Sequence, residues 1–250
     1  MSESSAGESP TVLDAATIPG LFITGTDTGV GKTVVAGAIA DWFRRRHRRV
    51  GVLKPVATGC VQRREGLVSE DAEFLAHCAD ARFPLDIICP QRYLEPLAPT
   101  VAAERAKQPL DWAAVQRSMR AIEAGSDVLI VEGVGGAMVP LDERHTVLDL
   151  VQWLRLPVVV VTRPDLGTIN HTLLTLAALR SARATIAGVV VNRYPTDTPD
   201  TAQESNPRMI ERWGKVPLLC VVPDEKVGSF RLPAGIAEAI ETVDWERFTR

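Results

Sequence analysis

The chain has 250 residues, 46% hydrophobic and 24% charged, with a formal net charge of −3. That composition can bury a large core and offers no basic surface of the kind nucleic acid favours. No apolar run approaches the roughly 20 residues that cross a bilayer, and residues 1–19 hold no apolar core like that of a signal peptide, so a soluble, cytoplasmic protein with no membrane or nucleic-acid partner is expected.

Residues 1–19 read as a flexible tail, Ser-, Glu- and Gly-rich over the first ten, and 20–250 as a single α/β domain. "GLFITG" (20–25) reads as the first strand, followed by a helix over 32–46. That helix runs into "RRRHRR" (44–49), a solvated last turn whose cations suit the negative end of the helix dipole. A strand over 49–54 and a helix over 70–79 come next, then a helix over 110–124 and a strand over 127–133. Three further helix–strand alternations follow: helix 146–155 with strand 156–162, helix 168–182 with strand 186–192, and helix 206–213 with strand 216–222. Most of these strands are apolar at consecutive positions, as strands covered on both faces are. The repeated βα order predicts a mostly parallel sheet with helices on both sides. His77 and His145 have no neighbours at metal-ligand spacing and read as surface or capping residues. Cys60, Cys78, Cys89 and Cys220 form no C-x-x-C pair and read as buried reduced thiols.

Ligands of such sheets bind beyond the carboxyl ends of the strands, so the residues just after each strand carry the chemistry. After the first strand comes "GTDTGVGKT" (25–33). A phosphate-binding loop reads G-x-x-x-x-G-K-[ST], yet counting back from Gly31 lands on Thr26, and Gly25 stands one place too early. The strand-to-helix context still favours phosphate. Gly29 and Gly31 let backbone N–H groups approach, Lys32 reaches the β/γ-phosphates, and the Thr33 hydroxyl faces Mg²⁺.

Magnesium on phosphates takes one or two carboxylates as well. Glu132 ends the 127–131 stretch in "VEGVGGAMVPL", with Gly133, Gly135 and Gly136 making a second close-approach loop. Asp71, in "SEDAEFL", is either a second metal carboxylate or a plain acid at a helix start. Lys54, in "LKPVATGC", is either a snorkelling edge lysine or a second cation aimed at the active edge.

Taken in order, "GTDTGVGKT", "KPVATGC", "EDAEFL", "YLEPLAPTVAA", "VEGVGGAMVPL", "LGTINHTLLT" and "GVVVNRY" resemble the dethiobiotin synthetase family over roughly residues 20–224. The family's loop itself reads G-T-D-T-x-V-G-K-T, so the early glycine is a family variant. The resemblance implies a P-loop NTPase-like fold and an ATP- and Mg²⁺-dependent ring closure. In it, 7,8-diaminononanoate takes up CO₂ as a carbamate, ATP phosphorylates the carbamate, and the second amine closes the ureido ring.

It further implies Thr33, Asp71 and Glu132 as Mg²⁺ ligands, with Lys54 and Lys32 catalytic. Nucleotide contacts would fall on Gly29, Val30, Gly31, Lys32, Thr33 and Val34, and on Gly133, Val134 and Gly135 of the second loop. Asn192 and Arg193, then Val222, Pro223 and Asp224, would lie at the base, Asn192 reading adenine. Thr28 and Thr58 match hydroxyls that contact the diamine and carbamate. Leu166, Gly167, Thr168 and Asn170 match a helix start that reaches across a homodimer interface to the substrate carboxylate. At Gly29 some family members carry an acid, so no side-chain role attaches to that position. Two other classes fit less well. Cobyrinate-type amidase synthases carry a glutaminase domain for which this chain has no room, and partition or septum-site ATPases need an early lysine where "GTDTG" stands.

Overall fold

A computed structural model of the chain describes residues 12–228 and 231–249. Its first elements are β1 (Gly20–Gly25), α1 (Lys32–Arg45), β2 (Val50–Leu53), β3 (Val56–Ala57), β4 (Val61–Arg63), β5 (Gly66–Val68) and α2 (Glu70–Ala79). Next come α3 (Leu85–Ile88), β6 (Gln91–Arg92), α4 (Pro99–Ala106), α5 (Trp112–Ala124), β7 (Val128–Glu132) and α6 (Val147–Leu154). The chain finishes with β8 (Val158–Thr162), α7 (Thr168–Ser181), β9 (Ile186–Tyr194), α8 (Thr201–Gly214), β10 (Leu218–Pro223), α9 (Ala234–Glu241) and a 3-10 turn, Trp245–Phe248.

Six strands form one sheet in the order β10-β9-β8-β1-β7-β2, and every pairing within it is parallel. The alternation of side chains in a strand divides the apolar residues between two cores. Leu21 and Ile23 of β1 face a core shared with α1, α2 and α9. Phe22, between them, faces a second core shared with α5, α6, α7 and α8. The near-continuous apolar runs are therefore a consequence of cover on both faces, as their sequence implies.

The structure departs from the sequence reading at several places. Residues 12–19 are packed rather than loose: Leu13 is buried and Ala16 N–H donates to Leu154 O at 3.1 Å. Leu13, with Val12, Ala16 and Ile18, packs on the second core, and the Asp14 and Thr17 N–H groups donate to Gln116 and Glu123 of α5; the expectation for the first ten residues lies outside the described residues. Helix α8 begins at Thr201 because Asp200 and Gln203 form a reciprocal capping box, and Pro207 sits inside it. The proline suggests a helix start nearer 206, since it suits a first turn. Helices α3, α4 and α9, the β4–β5 hairpin and the short β3–β6 pair had no strong periodic signal and were not anticipated. Among the described residues, no helix is long and apolar enough to cross a membrane.

His145 lies neither at the surface nor at a cap. It is buried, 2.9 Å from Asp142 Oδ2 through Nδ1, and edge-on to Trp112 and Trp153. All four cysteines are free and buried, and burial pushes the Cys78 thiol up to about 12, which keeps it protonated and unreactive.

Candidate functional site

Because the strands are parallel, the residues following each one meet along a single edge of the sheet. Fully buried β1 delivers Gly25 there, and the chain turns over residues 26–31 into α1. Gly29 and Gly31 have φ of +75° and +86°, in the left-handed region that favours glycine. At Gly31 a Cβ would also lie 2.1 Å from Asn192 Nδ2. Helix α1 has no side-chain cap and no acid in its first turn, so its leading N–H groups face outward for an anion. The second glycine loop lies directly against the first. A Cβ on Gly136 would be 3.3 Å from Gly25 O, and one on Gly135 would be 3.5 Å from Thr28 Oγ1.

Under the loop lies a buried ionic cluster. Lys54, just past β2, is 3% exposed, and Glu132, the last residue of β7, is 1% exposed. Lys54 Nζ is 2.7 Å from Glu132 Oε1 and 2.8 Å from Asp71 Oδ2. Thr33 Oγ1 reaches Glu132 Oε1 at 2.8 Å and Asp71 Oδ1 at 3.0 Å. Burial opposes the charge on Lys54, but Glu132 and Asp71 together hold its ammonium above the ordinary lysine range. Burial likewise disfavours the Asp71 carboxylate, but the Lys54 charge together with hydrogen bonds from Lys54 and Thr33 and the Lys32 charge holds Asp71 below its ordinary value. Lys32 is also buried, its ammonium donating to Asp27 O at 3.0 Å. Burial lowers its pKa, opposed by Glu132 and reinforced by Lys54.

This donor set fits a magnesium ion. A hydroxyl and two carboxylates converge, and Glu132 Oε2 is buried with no hydrogen-bond partner. A buried carboxylate oxygen left unpaired is costly unless something is to occupy its lone pairs.

Asn192, near the end of β9, is buried and donates Nδ2 to Val30 O at 2.8 Å. Arg193 beside it is exposed at φ +59°. Val222 is fully buried in β10, while Asp224 is exposed and its N–H donates to Tyr194 O at 2.8 Å. Val34, in the first turn of α1, packs against the first core, and Val134 against the second. Thr28 is exposed on the loop, and half-buried Thr58 follows β3.

The start of α7 stands at the same edge. Gly167 has φ +95°, Leu166 is 90% exposed, and Asn170 is exposed. Thr168 contributes no free side chain, because it is buried with its hydroxyl 2.6 Å from Thr162 Oγ1. Its N–H is also used, by Asp165 O at 3.1 Å. Among the described residues, the N–H groups of Ile169 and Asn170 have no backbone acceptor.

Several residues at this edge escaped the sequence reading. Arg163 directly follows β8 and places Nη2 3.1 Å from Asp27 Oδ2 on the loop. Inspecting the first residue after every strand would have found it. Buried Thr162 and Asn206 had no local signal, since their partners are distant in sequence.

Comparison with known proteins adds to this geometry. A family described as an AAA domain matches residues 19–229. An ATP-dependent dethiobiotin synthetase of Thermodesulfovibrio yellowstonii is 39% identical over 82% of the chain and 88% of its own length. One from Bacillus cereus is 41% identical over 82% and 83%. Among solved structures, a septum site-determining protein with Mg-ADP from Pyrococcus horikoshii superposes with a TM-score of 0.55 at 16% identity, covering 90% of this chain and 94% of its own. A ParA family ATPase from Chlorobium tepidum gives 0.53 at 16% identity, over 89% and 96%. At that identity the likeness is one of fold, a P-loop NTPase core.

Proposed function

This chain belongs to the ATP-dependent dethiobiotin synthetase family, and we infer that it carries out that family's ring closure, forming dethiobiotin at the expense of ATP in biotin synthesis. The observation that carries the reading is the cluster of Thr33, Lys54, Asp71 and Glu132 beneath the glycine loop.

The chemistry we assign is as follows. One amine of 7,8-diaminononanoate adds to CO₂ and loses a proton, giving a carbamate anion. A carbamate oxygen takes the γ-phosphoryl group of ATP and ADP leaves. The second amine attacks the carbonyl carbon of the mixed anhydride, and phosphate departs as the ureido ring closes. The first transfer brings an anion against a polyanion, so neutralising charge and fixing geometry are the protein's main tasks. Lys32 serves the β/γ-phosphates and Lys54 the carbamate and the transferring group. A magnesium ion held by Thr33, Asp71 and Glu132 would neutralise phosphate charge when bound. The phosphates lie along Gly29–Val34 and the Gly133–Gly135 loop. Asn192 and Arg193, with Val222, Pro223 and Asp224, hold the base, Val222 through its main chain because its side chain is enclosed. Thr28 and Thr58 meet the diamine and carbamate.

The site is completed in a homodimer, on this reading. The long apolar substrate ends in a carboxylate far from its amines, and a partner's α7 start would grip it through the open N–H groups of Ile169 and Asn170, presented by the Leu166–Gly167 turn. Thr168, buried with its hydroxyl and N–H engaged, would hold that turn rather than touch the substrate. Support comes from exposed Asn170 and Leu174, four residues apart on α7, with Leu166 90% exposed just before the helix. A cytoplasmic location is part of the same proposal.

The direct test mixes the protein with diaminononanoate, bicarbonate, Mg²⁺ and each nucleotide in turn and looks for dethiobiotin by mass. Absence of product with ATP would overturn the reading. The shared site is tested by exchanging subunits between Lys54→Gln and Gly167→Glu proteins. Both parents are expected to be inactive, and the re-formed heterodimers should regain activity from one intact site. No recovery after verified exchange would count against the dimeric site.

A further inference from the structure

The phosphate loop departs from the usual spacing at its leading half, where Thr26 stands in the place of glycine. That half is held from outside. Thr26 Oγ1 is 3.1 Å from Thr162 Oγ1, at the carboxyl end of the neighbouring parallel strand β8. The next residue on each side repeats the link, as Arg163 Nη2 donates to Asp27 Oδ2 at 3.1 Å. Asp27 is a hub. Its Oδ1 accepts the Thr28 N–H at 2.7 Å, and its main-chain oxygen accepts Lys32 Nζ at 3.0 Å. Thr162 is used to capacity as well, with Thr168 Oγ1 at 2.6 Å and Thr172 Oγ1 at 3.0 Å besides Thr26. One hydroxyl offers a single donor and two acceptor sites.

The trailing half, Gly29–Thr33, takes its backbone conformation from glycines and from α1, and Lys32 is tied to the Asp27 main-chain oxygen rather than to the carboxylate that Arg163 holds. An ion pair between side chains 40% and 52% exposed contributes little to stability, so what Arg163 supplies is orientation of Asp27. We propose that Arg163 is a positioning residue of this site. Through the Asp27 carboxylate it fixes Thr28, on the side of the loop that faces the diamine and carbamate, while the phosphate-binding half is independent of it. The assignment of Thr28 to the substrate rests on the functional reading above.

The experiment compares the intact wild-type chain with Arg163→Ala, Arg163→Lys, Asp27→Asn and the Arg163→Ala/Asp27→Asn double variant. Three quantities are read: affinity for a non-hydrolysable ATP analogue, kcat and KM for the diamine, and exchange of the Thr28 amide by NMR, which needs no substrate. Arg163→Ala should lower kcat/KM for the diamine roughly two- to fivefold, the scale of one exposed charge-assisted contact, and leave analogue affinity unchanged within error. The Thr28 amide should exchange faster. Arg163→Lys should restore most of the loss, since a single donor is used, and the double variant should be no worse than the poorer single. Losses that multiply in the double variant would overturn the proposal, since Arg163 would then act without Asp27. An equal fall in analogue affinity, or wild-type behaviour of Arg163→Ala, would overturn it too. A wild-type protein that binds nucleotide but makes no dethiobiotin would sink the functional reading alone. In that event, Thr28 exchange unchanged in Arg163→Ala overturns the positioning role and faster exchange supports it.

Discussion

Strands β2 and β7 lie side by side and carry an ion pair at each end. At their amino ends Arg49 and Asp127 meet at 2.5 Å with side chains 68% and 31% exposed. At their carboxyl ends Lys54 and Glu132 meet at 2.7 Å with side chains 3% and 1% exposed. The chemical partners are nearly the same; the surroundings are not. Water screens the first pair, which therefore contributes little to stability. The second has been stripped of water, a cost that its mutual attraction need not recover. A pair kept at that cost, beside a hydroxyl and a second carboxylate, is what the proposed chemistry would require. Strongly perturbed buried groups at the ligand-binding edge of such a sheet are candidates for chemistry.

The sharpest way to break that contrast is to remove the cations. Lys32→Ala should abolish measurable turnover, and Lys54→Gln should cut kcat by roughly 10²-fold or more, since each removes a charge-assisted contact in the transition state. Lys54→Gln should still bind ATP, as calorimetry would show. Near wild-type kcat in Lys54→Gln would make the carboxyl-end pair structural, like the amino-end one.

Stability separates the ends next. Glu132→Leu leaves the buried Lys54 ammonium with half-buried Asp71 and a long contact to Gly133 O, so urea unfolding should show a loss of about 3–5 kcal/mol. Adding Lys54→Met should recover most of that stability while the protein stays inactive. A double variant as unstable as the single would contradict the view that the pair is kept for chemistry rather than for folding.

Asp71→Asn is a subtler change, because the residue is half-buried and keeps its shape. The concentration of Mg²⁺ needed for half-maximal activity should rise. If it does not move, Asp71 is only an acid at the start of α2, where Ser69 already caps the helix.

The smallest effect belongs to the exposed pair. The Arg49 guanidinium holds the Asp127 carboxyl down to about 2. A depressed carboxyl stabilises the fold at pH values above its unfolded value and loses that contribution as the pH falls through the folded one. The slight stability advantage of wild type over Arg49→Ala should be constant near neutrality, shrink below about pH 4, and vanish near pH 2. Activity at pH 7 should be unchanged. An advantage that persisted below pH 2 would mean the arginine acts through packing instead.

Much of this contrast was legible before any coordinates. Lys54 and Glu132 each stand at the end of an apolar run, and parallel strands buried on both faces place such residues along one edge. Asp71 was ambiguous for a physical reason. A carboxylate at a helix start looks the same in sequence whether or not it joins a distant cluster, and only the fold shows its 2.8 Å approach to Lys54 and 3.0 Å to Thr33. His145 misled because a polar residue in a loop gives no sign of two tryptophans arriving from α5 and α6.

By itself, then, the sequence determined what depends on short-range patterning. It set the order of the six strands of the main sheet and of α1, α2, α5, α6, α7 and α8, since apolar periodicity and caps act within one element. It also set the glycine loop, since positive φ is a property of single residues, and the carboxyl-edge placement of the reactive groups, since parallel pairing follows from βα alternation. Tertiary structure decided everything that needs two distant segments at once. It joined Lys54 to Glu132 across 78 positions and Asn192 to Val30 across 162. It brought the end of β8 against the phosphate loop across 136, and buried Thr168 where a free helix start was expected. Hydrogen bonds and ion pairs of this kind require a packed sheet to exclude water and hold the partners within about 3 Å, and no local pattern of residues encodes that distance.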